Sequence, residues 1–199
     1  MTSTHLWADR FDGSLEDVFE LQDEVARSVA GVIEPTLQAA EIRRSSKGAT
    51  HDLTAYDLYL RALSLWGSYK KEPTLQALDL LGRAIEKDPH YGPPLALAGH
   101  CHHVLHAGSL TDEPETNRRE GTSLARRALQ CSPDDPEVLA FAGFVLGYFD
   151  EDINLALGLI DRSLALNPSF ARGWMWSGVL RNFAGQPHLA IEHYKTSYD

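Results

Sequence analysis

Residues 155–194 read LALGLIDRSLALNPSFARGWMWSGVLRNFAGQPHLAIEHY. An amphipathic stretch ends here at Asn167-Pro168, and a second one comes after it with Trp174, Ser177-Gly178 and Arg181 at regular intervals. The residue before a proline is pushed out of the α region, so Asn167 marks a helix end. The same punctuation recurs upstream: ALDLLGRAIEKDP closes at Asp88-Pro89 and TSLARRALQCSP closes at Ser132-Pro133. Pro133 to Pro168 is 35 residues, and Pro89 to Pro133 is 44 residues.

The residues after each proline repeat as well. Leu95, Ala98-Gly99 and His102 come after Pro89; Leu139, Ala142-Gly143 and Leu146 after Pro133; Trp174, Ser177-Gly178 and Arg181 after Pro168. The second stretches carry Ala77, Leu81 and Ala84; Ala156, Ile160 and Ser163; and Ala190, Tyr194 and Ser197. These spacings resemble the two-helix tetratricopeptide repeat (TPR), whose period is about 34 residues. The resemblance implies an all-α fold, a helix-turn-helix superhelix. Residues 52–199 form the array of about three and a half repeats, the last stopping inside its second helix.

The pattern has a packing reason. A glycine inside a helix costs roughly 1 kcal/mol against alanine. Gly99, Gly143 and Gly178 stand at one register, where the missing Cβ lets a partner helix approach. Ala84, Ala128 and Ser163 serve the same need on the second helices, while Leu81, Ile160 and Tyr194 fill the space between repeats. No single repeat buries its apolar face alone, so stacking builds the core. Two units depart from the pattern. Ala62 takes the glycine place in the first, with a turn expected near Lys70–Pro73; the second holds the extra segment HAGSLTDEPETNRRE, expected to form a longer loop.

Residues 1–51 read differently. THLWADRF over 4–11 has the pattern of a short strand, followed by Asp12-Gly13. Residues 14–44 carry Val18, Leu21, Val25, Val29 and Val32 at helical spacing, behind a Ser14-x-x-Asp17 capping box. Pro35 should interrupt this long helix, and SSKGATH over 45–51 reads as a linker. A lone strand has nothing to pair with. The segment is therefore expected to be the remnant of a preceding α/β domain plus a connecting helix, with both ends of the sequence looking cut.

Composition excludes several roles. The formal net charge is −10, from 18 basic and 28 acidic residues, which disfavours binding nucleic acid or an anionic membrane surface. No stretch is apolar enough to span a bilayer, and the N-terminus lacks a secretory signal. The two cysteines, Cys101 and Cys131, form no C-x-x-C motif, which points to a reducing cytoplasm. No nucleotide-binding, metalloprotease or nucleophile-elbow motif is present, so no catalytic residue and no cofactor is expected. His100, His102, His103 and His106 share one predicted helix; two ligands at metal spacing, or ordinary core and groove histidines, are the alternatives.

The expected functional surface is the concave groove lined by the first helices. Threading the repeat points Tyr56, Tyr59, Leu63 and Trp66 inward, then Ala96, His100 and His103. Glu137, Ala140, Phe144 and Tyr148 come next, then Arg172, Met175, Val179 and Phe183. Such aromatic-rich surfaces anchor protein or peptide partners. The rival expectation is that some of these rings pack on neighbouring repeats or on residues 14–44. A basic carboxylate-clamping groove does not fit, since only Arg172 and Asn182 qualify.

HLWADRFDGSLEDVFELQDEVARSVAGVIEPTL, followed by AYDLYLRAL and the repeats, resembles a bacterial architecture with an effector, a small α/β domain and a TPR array. The effector is often a class III adenylate or guanylate cyclase, and sometimes a winged-helix DNA-binding domain. The resemblance implies a regulatory scaffold, with a homodimer or a separate protein as partner. A purely structural spacer is the third reading.

Overall fold

The computed structural model describes residues 55–149 and 152–198. The strand expected at 4–11, the helix expected at 14–44 and the 45–51 linker lie outside the described residues. Among the described residues eight helices succeed one another: α1 (Ala55–Trp66), α2 (Lys71–Lys87), α3 (Gly92–Ala107), α4 (Pro114–Cys131), α5 (Pro136–Tyr148), α6 (Ile153–Leu166), α7 (Ala171–Phe183) and α8 (Pro187–Thr196). They pack as four consecutive pairs, and the described residues contain no strand. The fold is an all-α, TPR-like helical-repeat solenoid.

Helix ends fall where proline dictates. Asp88, Ser132 and Asn167 cap α2, α4 and α6, and each donates its backbone N–H to the residue four back: Ala84 (3.0 Å), Ala128 (2.9 Å) and Ser163 (2.9 Å). A second bond then turns the chain identically three times, from Tyr91 to Asp88, Asp135 to Ser132 and Phe170 to Asn167. Helix starts are also encoded locally. The Asp135 carboxylate accepts the N–H of Val138 at α5, and Asp152 accepts those of Asn154 and Leu155 at α6.

Two expectations about connections are corrected. Most of HAGSLTDEPETNRRE is helical: the loop is only residues 108–113, and the extra length extends α3 and α4. Pro114 starts α4 because an N1 proline needs no hydrogen bond. Thr111 Oγ1 secures the turn by accepting from the Glu113 N–H and the Asn117 Nδ2. In the first pair the turn is 67–70, and Pro73 lies inside the first turn of α2, where its missing N–H has no intrahelical acceptor.

The glycine register has the predicted consequence. A β-carbon on Gly99 would lie 3.1 Å from the Gly121 carbonyl of α4, and one on Gly143 would lie 3.1 Å from the Ala156 carbonyl of α6. Ala77, Leu81, Ala84, Ala156, Ile160 and Ser163 are all fully buried. The helices α3 and α5 are buried on almost every side, as expected of central first helices.

Candidate interaction surface on the first helices

The first helices α1, α3, α5 and α7 each contribute rings to one seam. Trp66 of α1 donates its indole N–H to His100 Nδ1 of α3 at 3.0 Å. With Nδ1 accepting, neutral His100 carries its proton on Nε2. The His100 ring lies 5.4 Å from Phe141, 5.8 Å from Phe144 and 5.1 Å from Trp176. Phe144 and Trp176 stack at 5.1 Å with 19° between planes. Edge-to-face and offset contacts of this kind add to the gain from burying the rings.

Contacts between distant pairs close the seam at its centre. Arg172 of α7 lays its guanidinium 4.0 Å over the Trp66 ring of α1, so the fourth pair touches the first. The Tyr59 hydroxyl of α1 donates to Glu137 Oε2 of α5 at 3.2 Å. Burial, reinforced by Glu137, holds the Tyr59 phenol well above its ordinary pKa. Burial likewise lowers the pKa of Arg172, opposed by Tyr69, Glu137 and Tyr59.

The histidines are dispersed among separate partners. His102 Nδ1 meets Asn117 Oδ1 at 2.9 Å, and His106 Nδ1 meets the Pro114 carbonyl at 3.1 Å. Burial, then His103 and Arg172, push His100 well below the usual imidazole range. His103 is 8% exposed, and neither ring nitrogen has a hydrogen-bond partner among the described residues. It sits edge-on to Tyr148 at 4.3 Å and Phe144 at 5.0 Å. Burial and the neighbouring His106 lower its pKa to about 4. Among the described residues no three metal-ligating side chains converge. The thiol of Cys101 is buried, which pushes its pKa up to about 12 and keeps it protonated.

The structure thus divides the predicted groove residues in two. Tyr59, Trp66, His100, His103 and Phe144 are buried in the seam, with Tyr148 half-buried beside His103. Tyr56, Met175 and Phe183 stay outside it as an exposed rim, with Tyr56 47% and Phe183 55% open to solvent, while Arg172 keeps some exposed surface but packs its guanidinium over Trp66. Sequence reasoning missed Phe141 and Trp176, which occupy the middle of the seam at 2% exposure each. A signal existed: the two large aromatics stand 35 residues apart, one repeat period, in equivalent positions. Tyr69 was also missed; it lies 6.5 Å from Trp66 and reaches the rim from the α1–α2 turn.

Comparison with known proteins agrees with this geometry. No protein-family profile matches the chain. A Rhizobium meliloti (strain 1021) protein named "Putative adenylate cyclase 3" is 29% identical over 143 residues, covering 68% of this chain. The chain spans only 23% of that relative's length. Among solved structures, a thermophilic TPR protein of Thermus thermophilus superposes with a TM-score of 0.62 at 16% identity, covering 92% of this chain and 87% of that one. A crystal structure of MamA superposes with a TM-score of 0.50 at 15% identity, covering 84% and 92%. Together the helix pairs, the glycine register and the superpositions define the fold: a TPR-like helical-repeat solenoid.

Proposed function

We propose that this chain is a protein-interaction scaffold, the TPR regulatory region of a bacterial class III nucleotidyl cyclase-like signalling protein. The observation that carries the interaction reading is the rim. Tyr56, Met175 and Phe183 expose apolar surface on first helices whose neighbouring rings are buried, and Arg172, its guanidinium over Trp66, keeps some exposed surface on α7. Aromatic and arginine side chains set in a rigid surface are what partner recognition uses. Because the seam closes the middle of the inner face, the partner, a protein or peptide, lies across the rim. The likeness to the Rhizobium meliloti protein supports the cyclase setting. In that setting residues 1–51 belong to a preceding α/β domain with its connecting helix, residues 52–199 are the array, and the protein works in the cytoplasm. Self-association through the rim would suit an enzyme class that pairs two catalytic domains.

The test is cyclic-nucleotide synthesis by the full gene product, compared with its Met175→Ala/Phe183→Ala variant, alongside light scattering of both. These positions are exposed, so the variant should keep its fold and stability. Synthesis altered several-fold, with changed self-association or partner binding, is the expected result. A full-length product that makes no cyclic nucleotide, or one indifferent to the change, overturns the reading.

A further inference from the structure

Among the described residues, α1 has no counterpart of the second helix that precedes every later first helix. Aligning Ala62 with Gly99, Gly143 and Gly178 carries Arg61 onto Ala98, Ala142 and Ser177, and Ser64 onto Cys101, Val145 and Leu180. All six of these later residues are at most 3% exposed. Ala142 and Val145 show what covers them: they cluster with Ala125 and Leu129 of α4, the second helix of the preceding pair. In α1 the two positions hold a half-buried arginine and an exposed serine. Beside them opens a cavity of about 640 Å³ between α1 and α2, with Leu65, Leu75 and Leu80 in its wall and Arg61 and Arg83 at its sides. Leu75 is 46% exposed there. An apolar end face on a solenoid needs a cover.

We propose that residues 14–44 of this same chain occupy that face, standing where a preceding second helix would stand. Three features fit this occupant. Val18, Leu21, Val25, Val29 and Val32 give the segment one apolar stripe at helical spacing. Glu16, Asp17, Glu20, Asp23 and Glu24 supply carboxylates for Arg61, and for Arg83 beside its Asp79 partner at 3.9 Å, while the aliphatic stems of both arginines can lie along the leucines. Residues 45–54 provide ten residues of connection, a reach of up to roughly 33 Å, whereas the connections between later pairs use four. Arg61 replaces the small buried residues of later repeats because its partner is acidic rather than another repeat helix. The end face is separate from the rim, so this inference stands or falls independently of the function proposed above.

Amide hydrogen exchange of the complete 199-residue chain tests it. Amides within 14–34 should exchange at least about tenfold more slowly than an unprotected chain. Arg61→Glu should remove most of that protection while leaving α5 to α8 unchanged, and Val29→Asp should reciprocally speed exchange in α1 and α2. Leu75→Asp is the companion variant; Arg61→Glu guards against its simply unfolding the first pair, because Arg61 reaches solvent. Unprotected amides in the wild-type segment overturn the proposal. So does protection that ignores Arg61→Glu and Leu75→Asp, or protection that grows with protein concentration, which would assign the face to a second copy.

Discussion

The second and fourth helix pairs use a glycine at the same register for opposite purposes. In the second pair Gly99 faces Gly121, and two backbones meet with almost nothing between them. In the fourth pair Gly178 faces Tyr194, and a β-carbon there would lie 2.6 Å from the tyrosine ring. The third pair is intermediate, with Gly143 against the Ala156 carbonyl and the Ile160 side chain. The repeat therefore specifies a combined volume at each helix crossing and leaves open which helix supplies it. Where both sides are glycine the crossing is rigid, because backbone cannot step aside. Where one side is a half-buried ring, the crossing can yield.

The largest expected effect concerns what holds the fourth pair when its own crossing is soft. Trp176 touches His100, Phe141 and Phe144, so the seam anchors α7. Trp176→Ala should lower unfolding free energy by about 3–5 kcal/mol in urea titration. A cost no greater than that of Tyr194→Ala would show that the pair is held by its own crossing after all.

The second test concerns the buried imidazole of the rigid pair. Folded His103 binds its proton only near pH 4, whereas an unfolded histidine binds near 6.5. Between those values the unfolded chain carries more protons, so stability falls as pH drops from about 6.5 towards 4, by up to about 3 kcal/mol. His100 acts in the same direction and His106 faces the same cluster. Thermal unfolding across this range should show the loss, and His103→Leu should flatten it. An unchanged slope would place the proton uptake elsewhere.

Gly99→Ala against Gly178→Ala compares the crossings directly. The first forces a methyl against backbone and should cost about 1–3 kcal/mol. The second displaces a ring that can swing outward and regains helix propensity, so its cost should stay below about 1 kcal/mol. Equal costs would break the comparison. The smallest effect belongs to helix capping. Asp152 caps α6 with two hydrogen bonds, while Gln186 offers α8 none, so Asp152→Ala should cost about 1 kcal/mol and Gln186→Ala much less in the same titration.

Much of this fold was legible because its signals are local. Asp88, Ser132 and Asn167 end helices through the steric demand of the next proline, and no distant residue needs to be known. Gly99, Gly143 and Gly178 were readable from periodicity alone. The extra segment in the second repeat was misplaced because length alone does not distinguish a longer loop from two longer helices; Pro114 and the Thr111 bonds decide it. The candidate surface was only half legible. Threading points a position inward, but whether His100 meets solvent depends on Trp66, Phe141 and Trp176, which arrive from three other pairs. Met175 and Trp176 are adjacent in sequence, and only the rotation of α7 puts the tryptophan inside and leaves the methionine at the rim.

The placement of Arg172 over Trp66 also bears on how the molecule comes apart. Arrays in which each repeat touches only its neighbours can fray from either end, one unit at a time. Here residues 106 positions apart in the chain bind face to face, joining the last pair to the first. Tyr59 and Glu137 tie the first pair to the third in the same way. Loss of either terminal pair removes contacts from the other end of the array, so the described pairs should melt together in a single cooperative transition, like a coil whose turns have been bonded to one another.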